Sequence, residues 1–198
     1  MTPLSPRIQK IIEHFDALPG IGPKHAARLA LYLLGDTKRA QQLASDLESA
    51  AAAARLCVEC QTLTDSTRCE ICKDTKRNRR SICVVAHVQD IEPIERTGKH
   101  AGVYHVLHGL LSPLDGVTPD HLKIKELVTR AAAGADEIIL ALDAVAEGDA
   151  TGMYLTKILK ETGVSVSKLA RGIPMGSNIE YADEVTLSSA FEDRKKLS

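Results

Sequence analysis

An α/β fold with a helical N-terminal region is predicted by three features of this 198-residue chain. Apolar residues recur at helical spacing in the first stretch, four cysteines follow in two close pairs, and from residue 81 onward short apolar runs alternate with helical segments. The expected layout is a helical region at 1–55, a four-cysteine module at 56–79, a mostly parallel sheet with helices on both faces at 80–175, and a short tail at 176–198.

Residues 5–17 read as a helix, with Ile8, Ile11, Ile12 and Phe15 on one face, Ser5 placed to cap and Pro6 at the first helical position. The run Leu18-Pro-Gly-Ile-Gly-Pro-Lys24 predicts a tight turn, in which Gly20 and Gly22 accept backbone angles that strain other residues and Pro23 opens a second helix. A third amphipathic helix is expected over 36–56, capped by Asp36 or Thr37, with Leu43, Leu47 and Leu56 as its apolar stripe.

Cys57-x2-Cys60 and Cys69-x2-Cys72 are separated by eight residues rich in turn formers. Two such knuckles place four thiolates around one tetrahedral Zn²⁺, and four sulfurs leave no open position for a catalytic water, so the expected metal is structural. Two disulfides or free thiols are the alternative. A disulfide framework suits a small secreted chain, and nothing at the N-terminus reads as a signal peptide, so reduced cysteines and a cytoplasmic location are expected. Cys83, within Ile82-Cys83-Val84-Val85, is expected to be a buried small hydrophobe.

Strands are expected at 82–85, 103–107, 137–142 and 164–169, and helices at 89–96, 119–133 and 150–162, the first ended by Gly98 and the last by Gly163. In the tail, Val185, Thr186 and Leu187 suit a pleated surface, so 184–187 reads as a strand and the residues from 193 on are expected to fray.

Composition removes several function classes. No run of about 18 apolar residues spans a membrane. Aromatics are 3% with no Trp, which argues against base stacking as the main binding mode. ATP use lacks its G-x4-G-K-[ST] loop. Residues 1–80 carry 13 Lys/Arg against 9 Asp/Glu and the remainder 12 against 17, so a basic first half precedes an acidic second half. The tract Lys73, Lys76, Arg77, Arg79 and Arg80 points to an anionic partner, or to a solvated surface.

The glycine turn resembles the helix-hairpin-helix motif of sequence-independent DNA-binding proteins. Bare N–H groups at the second helix start can donate to a phosphate, and Lys24 and Arg28, four apart, reach the same backbone. Gly20, Gly22, Lys24 and Arg28 are therefore candidate DNA-binding residues; an ordinary helical hairpin is the alternative. His25 is expected at the surface. The chain holds one such hairpin, half of the usual paired unit, so a homo-oligomer that apposes its N-terminal regions is expected.

Asp143-Ala-Val-Ala-Glu147-Gly148-Asp149 follows the third strand and resembles the acidic motif of Toprim domains, the metal-binding fold of topoisomerases and primases. The resemblance places Ala86 where that motif has Glu, and Val145 where it has the second Asp. With those carboxylates absent a catalytic metal loses its grip, and Tyr104 is expected to be packing rather than a nucleophile. Asp143, Glu147 and Asp149 remain as candidates to cap the helix or to dock a basic partner.

The order of parts, together with the runs Ile94-Glu-Arg-Thr-Gly98, Leu111-Ser-Pro-Leu-Asp-Gly116, Leu169-Ala-Arg-Gly-Ile-Pro-Met-Gly176 and Tyr181-Ala-Asp-Glu-Val-Thr-Leu187, resembles the RecR family of bacterial recombination mediators over essentially the whole chain. The resemblance implies no catalytic residue and a non-enzymatic DNA-binding scaffold in recombinational repair. It implies rings, as dimers or tetramers, that encircle duplex DNA and work with RecO, and with RecF where present, to help load RecA at gaps and breaks. Lys24 and Arg28 then face DNA, Glu147 and Asp149 face RecO, and the tail packs on the Toprim sheet of its own or a neighbouring subunit. A Toprim metal-dependent DNA-processing enzyme and a zinc-stapled adaptor without a nucleic-acid role are the competing readings.

Overall fold

Pro6 and Pro23 each stand at the first position of a helix, where a missing N–H costs nothing, and open α1 (Pro6–Asp16) and α2 (Pro23–Leu34). The computed structural model describes residues 4–196 and divides the chain into two units, one ending at Ala54 and one starting at Arg55. Gly20 occupies the left-handed region at φ 77° in the turn between the first two helices. Ile12 of α1 packs with Ala26 and Ala30 of α2, and small residues there let the helices approach closely.

α3 (Thr37–Ala53) is capped by Asp36, whose side chain accepts the Arg39 N–H at 3.1 Å. It is shorter than expected. None of its residues is buried, Leu43 and Leu47 are exposed, and Leu56 lies beyond its end in β1 (Arg55–Leu56), so the expected apolar stripe does not form.

In the second unit β1 pairs antiparallel with β2 (Leu63–Thr64), and the short α4 (Glu70–Lys73) follows. The main sheet comprises β3 (Asn78–Val85), β4 (Gly102–Val106), β5 (Glu137–Ala141) and β6 (Ser165–Lys168), all parallel, in the order β4-β3-β5-β6. Ile82 stands beside Val103 and Ile138, so these side chains share one face. That face meets Leu127 and Ala131 of α6 (Ile124–Ala132) and Leu155 and Leu159 of α7 (Ala146–Leu159). Cys83, Val85, Tyr104 and Val106 point the other way, onto Ile91 and Ile94 of α5 (Ile91–Arg96). Central strands covered on both sides must be apolar throughout, which is why Ile82, Cys83, Val84 and Val85 run without a polar residue. Truncating Leu127, fully buried here, to Ala removes about 2–5 kcal/mol.

Element edges differ from expectation for local reasons. The helix expected over 119–133 is a single turn at Pro119–His121, and α6 starts only at Ile124. The Lys123 N–H is drawn to the Leu107 carbonyl at 3.1 Å, which interrupts any continuous helix. The α7 helix begins at Ala146, earlier than expected, so Glu147 and Asp149 lie in its first turn rather than in a loop. The expected strand at 184–187 is instead the start of α8 (Glu184–Glu192). Asp183 caps it, accepting the Thr186 N–H at 2.9 Å, and this capping overrides the β preference of Val185 and Thr186.

No residue of α8 is buried, and Val185 and Phe191 are exposed. Of the tail expected to fray, Asp193 is tied to the Arg171 N–H at 2.8 Å, and 197–198 lie outside the described residues. Among the described residues no helix is long and apolar enough to cross a membrane.

Candidate metal centre and nucleic-acid interface

Cys57 follows β1, Cys69 caps α4 and Cys72 lies within it, so two short elements bring the pairs together. The four sulfurs lie within 4.8 Å of one another, and all four residues are buried. Cys60 and Cys69 approach to 3.5 Å, far beyond the about 2.05 Å of a disulfide, and none of the five cysteines is in a disulfide. The disulfide alternative therefore does not describe this chain. A tetrahedron with metal–sulfur bonds of about 2.3 Å has edges of about 3.8 Å, so the donor set fits a single thiophilic cation.

The four thiols act strongly on one another. Hydrogen bonds from Cys60 and then Cys72 hold the Cys69 thiol well below its usual range. The Cys60 thiol, engaged by Cys69 and desolvated, is pushed up to about 12, and the bonds to Cys60 and Cys69 push Cys72 up further. Cys83 stands apart as the expected buried hydrophobe, its thiol raised to about 12 by burial.

The module is joined to the sheet by its backbone. The Val106 N–H donates to the Cys60 carbonyl at 2.8 Å, and His108 Nε2 meets the Gln61 carbonyl at 2.6 Å. Gln61 and His108 both adopt left-handed backbone angles, φ 62° and 64°, to make this junction. Glu59 is shared by Arg68, at 2.8 Å, and Arg79, and Arg79 also donates to the Cys72 carbonyl at 2.8 Å.

The basic tract is largely neutralised internally. Lys73 pairs with Glu70, Arg77 with Glu95 and Asp74, Arg79 with Glu59, and Arg80 with Asp136. Of the five side-chain cations only the Lys76 ammonium lacks a carboxylate within 4.0 Å among the described residues, its backbone N–H donating to Asp74 at 2.9 Å. Four of the five cations of this tract are thus paired within the chain.

The glycine hairpin differs. Lys24 and Arg28 are exposed on α2, and neither has a carboxylate within 4.0 Å among the described residues. Gly22, at the helix N-cap, offers no side-chain cap, and the N–H groups of Lys24 and His25 have no partner among the described residues. Gly22 is extended at φ −98°, so the conformational argument holds for Gly20 but not for Gly22. His25 is exposed, as expected.

Among the described residues Asp143, Glu147 and Asp149 do not gather into a metal-binding group. Among the described residues only the four cysteines form a group of metal-binding side chains. Asp143 and Glu147 are exposed, whereas both carboxylate oxygens of Asp149 are taken by Arg171, at 2.8 and 2.6 Å. That pairing holds the Asp149 carboxyl below the usual carboxylate range. A Cβ on Gly148 would stand 2.0 Å from the Asp143 carbonyl oxygen, so the loop folds over α7 only with glycine there. Ala86 is buried at the end of β3, and Val145 is exposed at the N-cap of α7. Tyr104 is buried in the sheet, and its hydroxyl donates to Glu95 at 2.6 Å. Sequence reasoning missed Arg171 and Glu95, because each meets a partner remote in the chain and no local pattern marks either.

Comparison with known proteins supplies the remaining context. Residues 8–51 match the family "RecR, helix-hairpin-helix", 80–170 the Toprim domain, and 172–195 "RecR, C-terminal". The chain is 49% identical over 195 residues to recombination protein RecR of Anaeromyxobacter dehalogenans (strain 2CP-C), covering 96% of this chain and 97% of the relative. It is 46% identical over 192 residues to recombination protein RecR of Streptococcus equi subsp. zooepidemicus (strain MGCS10565), with the same coverage. The RecR of Lactococcus lactis subsp. cremoris (strain MG1363) is 44% identical over 192 residues, covering 96% and 97%.

Proposed function

Because the chain belongs to the recombination protein RecR family, with a role in recombinational repair, we propose that it is a non-enzymatic DNA clamp. It works with RecO, and with RecF, to help load RecA at gaps and breaks. The observation that supports this most is the hairpin. Lys24 and Arg28 carry charge that no carboxylate among the described residues balances, beside open N–H groups at the start of α2. Together they offer a phosphate two donors and two cations without touching a base.

In this reading Cys57, Cys60, Cys69 and Cys72 hold Zn²⁺, which when bound supplies a cross-link and no chemistry. Asp143 and Glu147 present exposed carboxylates to a basic surface of RecO, and Asp149 joins them when Arg171 yields. Homo-oligomers, dimers or tetrameric rings, bury the apolar side chains that Leu29, Leu31 and Leu47 leave exposed. The functional divisions are 1–55, 56–79, 80–175 and 176–198, and the protein works in the cytoplasm.

The Toprim match favours one competing reading, a metal-dependent DNA-processing enzyme. Ala86 and Val145 offer no ligands there, and Asp149 is already paired, which argues against it. The test is duplex DNA binding by the double variant Lys24→Ala/Arg28→Ala. A drop in affinity of at least about tenfold with a shallower salt slope is expected, since each phosphate left without its cation reduces that slope by about one. Unchanged affinity would favour the adaptor reading instead.

A further inference from the structure

We propose that the C-terminal helix is a latch on the acidic turn of α7: Asp193 positions Arg171, and Arg171 in turn covers Asp149. The inference rests on reading Asp143, Glu147 and Asp149 as a docking face for a basic partner, and it supplies the regulation of that face.

The chain leaves the sheet after Lys168, and the Leu169 N–H still reaches the Leu140 carbonyl at 3.1 Å. Residues 169–172 then belong to no helix or strand, so nothing within the segment fixes Arg171. Its backbone N–H donates to Asp193 Oδ2 at 2.8 Å, and no other acceptor takes that N–H among the described residues. Asp193 stands at the end of α8, and that helix lies directly against the segment, since a Cβ on Gly172 would be 3.9 Å from the Ala190 Cβ. The guanidinium of Arg171 reaches across to the first turn of α7, where Nη1 and Nη2 donate to the two oxygens of Asp149 at 2.8 and 2.6 Å. A two-pronged Arg–carboxylate pair demands one geometry, so the position of Arg171 decides whether it forms.

The latch sets how many carboxylates the turn presents. Asp143 and Glu147 have no cation within 4.0 Å among the described residues, whereas Asp149 has both oxygens on Arg171. With α8 in place the turn offers Asp143 and Glu147; with α8 displaced Arg171 loses its anchor and Asp149 joins them. The linkage is reciprocal, so a partner's cation that takes Asp149 also loosens α8. The pair is partly exposed to water, which keeps it near the strength of a surface ion pair and lets a partner open it.

The experiment uses the full-length protein as parent, Arg171→Gln, Asp193→Ala and Asp193→Asn. The carboxyl carbon of Asp149 is titrated by NMR, and affinity for purified RecO from the same source is measured in parallel. In the parent Arg171 holds the Asp149 carboxyl below the usual range. Arg171→Gln and Asp193→Ala are both expected to raise it. Asp193→Asn is expected to leave it unchanged, because an amide oxygen still accepts the Arg171 N–H. RecO is expected to bind Arg171→Gln and Asp193→Ala about threefold more tightly, the scale of one exposed ion pair. The sign in Asp193→Ala is decisive, since by overall charge the loss of a carboxylate weakens binding to a basic partner. An Asp149 titration that Asp193→Ala leaves unchanged overturns the latch, as does RecO binding that this variant leaves unchanged or weakens. Should Asp193→Ala not fold, Asp193→Gly, suited to a helix end, is read in its place. RecO binding indifferent to Asp143→Asn with Glu147→Gln overturns the docking reading and the regulatory role with it, whereas the titration judges the latch contact by itself.

Discussion

The Val106 N–H donates to the Cys60 carbonyl at 2.8 Å, so a residue of the four-cysteine cluster closes the outer edge of the main sheet. The same edge of β4 gives its Gly102 carbonyl to Arg77 at 3.1 Å and its Tyr104 carbonyl to Arg130 at 2.7 Å. An open edge strand is a template for pairing with another chain, and these three contacts cover the edge instead.

Metal removal should therefore loosen the sheet edge as well as the module. With a strong chelator, or in Cys60→Ser, the melting temperature is expected to fall and amide exchange at Val106 to speed up, while Ile138 stays protected longer. Exchange at Val106 unaffected by metal loss would show that the two are energetically independent.

Stability at low pH should depend on Glu95. Its carboxyl accepts from Arg77 at 2.8 Å and from the Tyr104 hydroxyl, and these bonds hold it below its ordinary value of 4.5. A group with a depressed folded pKa stabilises above its unfolded value, and that contribution disappears as pH falls through the folded one. Urea midpoints should thus hold above pH 4.5 and drop below it, and Glu95→Gln should flatten that drop while lowering stability near neutrality. An unchanged acid limb in Glu95→Gln would assign the drop to other carboxylates.

The loop after β5 should not tolerate a methyl group at position 148. Gly148→Ala places Cβ 2.0 Å from the Asp143 oxygen and is expected to cost about 2 kcal/mol. Gly152→Ala, whose Cβ would make an ordinary 3.8 Å contact with Leu140, should be neutral or stabilise by up to about 1 kcal/mol. Chemical denaturation of both variants checks the contrast.

Gln61 holds a left-handed angle, φ 62°, that glycine adopts freely. Gln61→Gly is expected to stabilise by up to about 1 kcal/mol, and Gln61→Val to destabilise by more, as thermal melts of the two variants would show. The His108 contact is to the backbone carbonyl and survives either change.

What the sequence made legible was local. The Cys57–Cys60 and Cys69–Cys72 spacing predicts the cluster, and the apolar run Ile82 to Val85 predicts a covered central strand, because both signals lie within a few residues. Pro23 and Gly20 mark the hairpin for the same reason. Tertiary partners were not legible. Nothing local says that Arg171 will occupy Asp149, 22 residues away, or that Arg80 will pair with Asp136 and remove a cation from the basic tract. The tail shows two local signals in conflict, where β-branched Val185 and Thr186 suggest a strand and the Asp183 cap decides for a helix.

The most direct test incubates the purified protein with supercoiled and gapped plasmid and Mg²⁺, then runs the DNA on gels natively and after protein removal. A non-enzymatic clamp gives a native shift with DNA unchanged once the protein is stripped away. Nicked, relaxed or degraded DNA would contradict it and make the Toprim unit a catalyst.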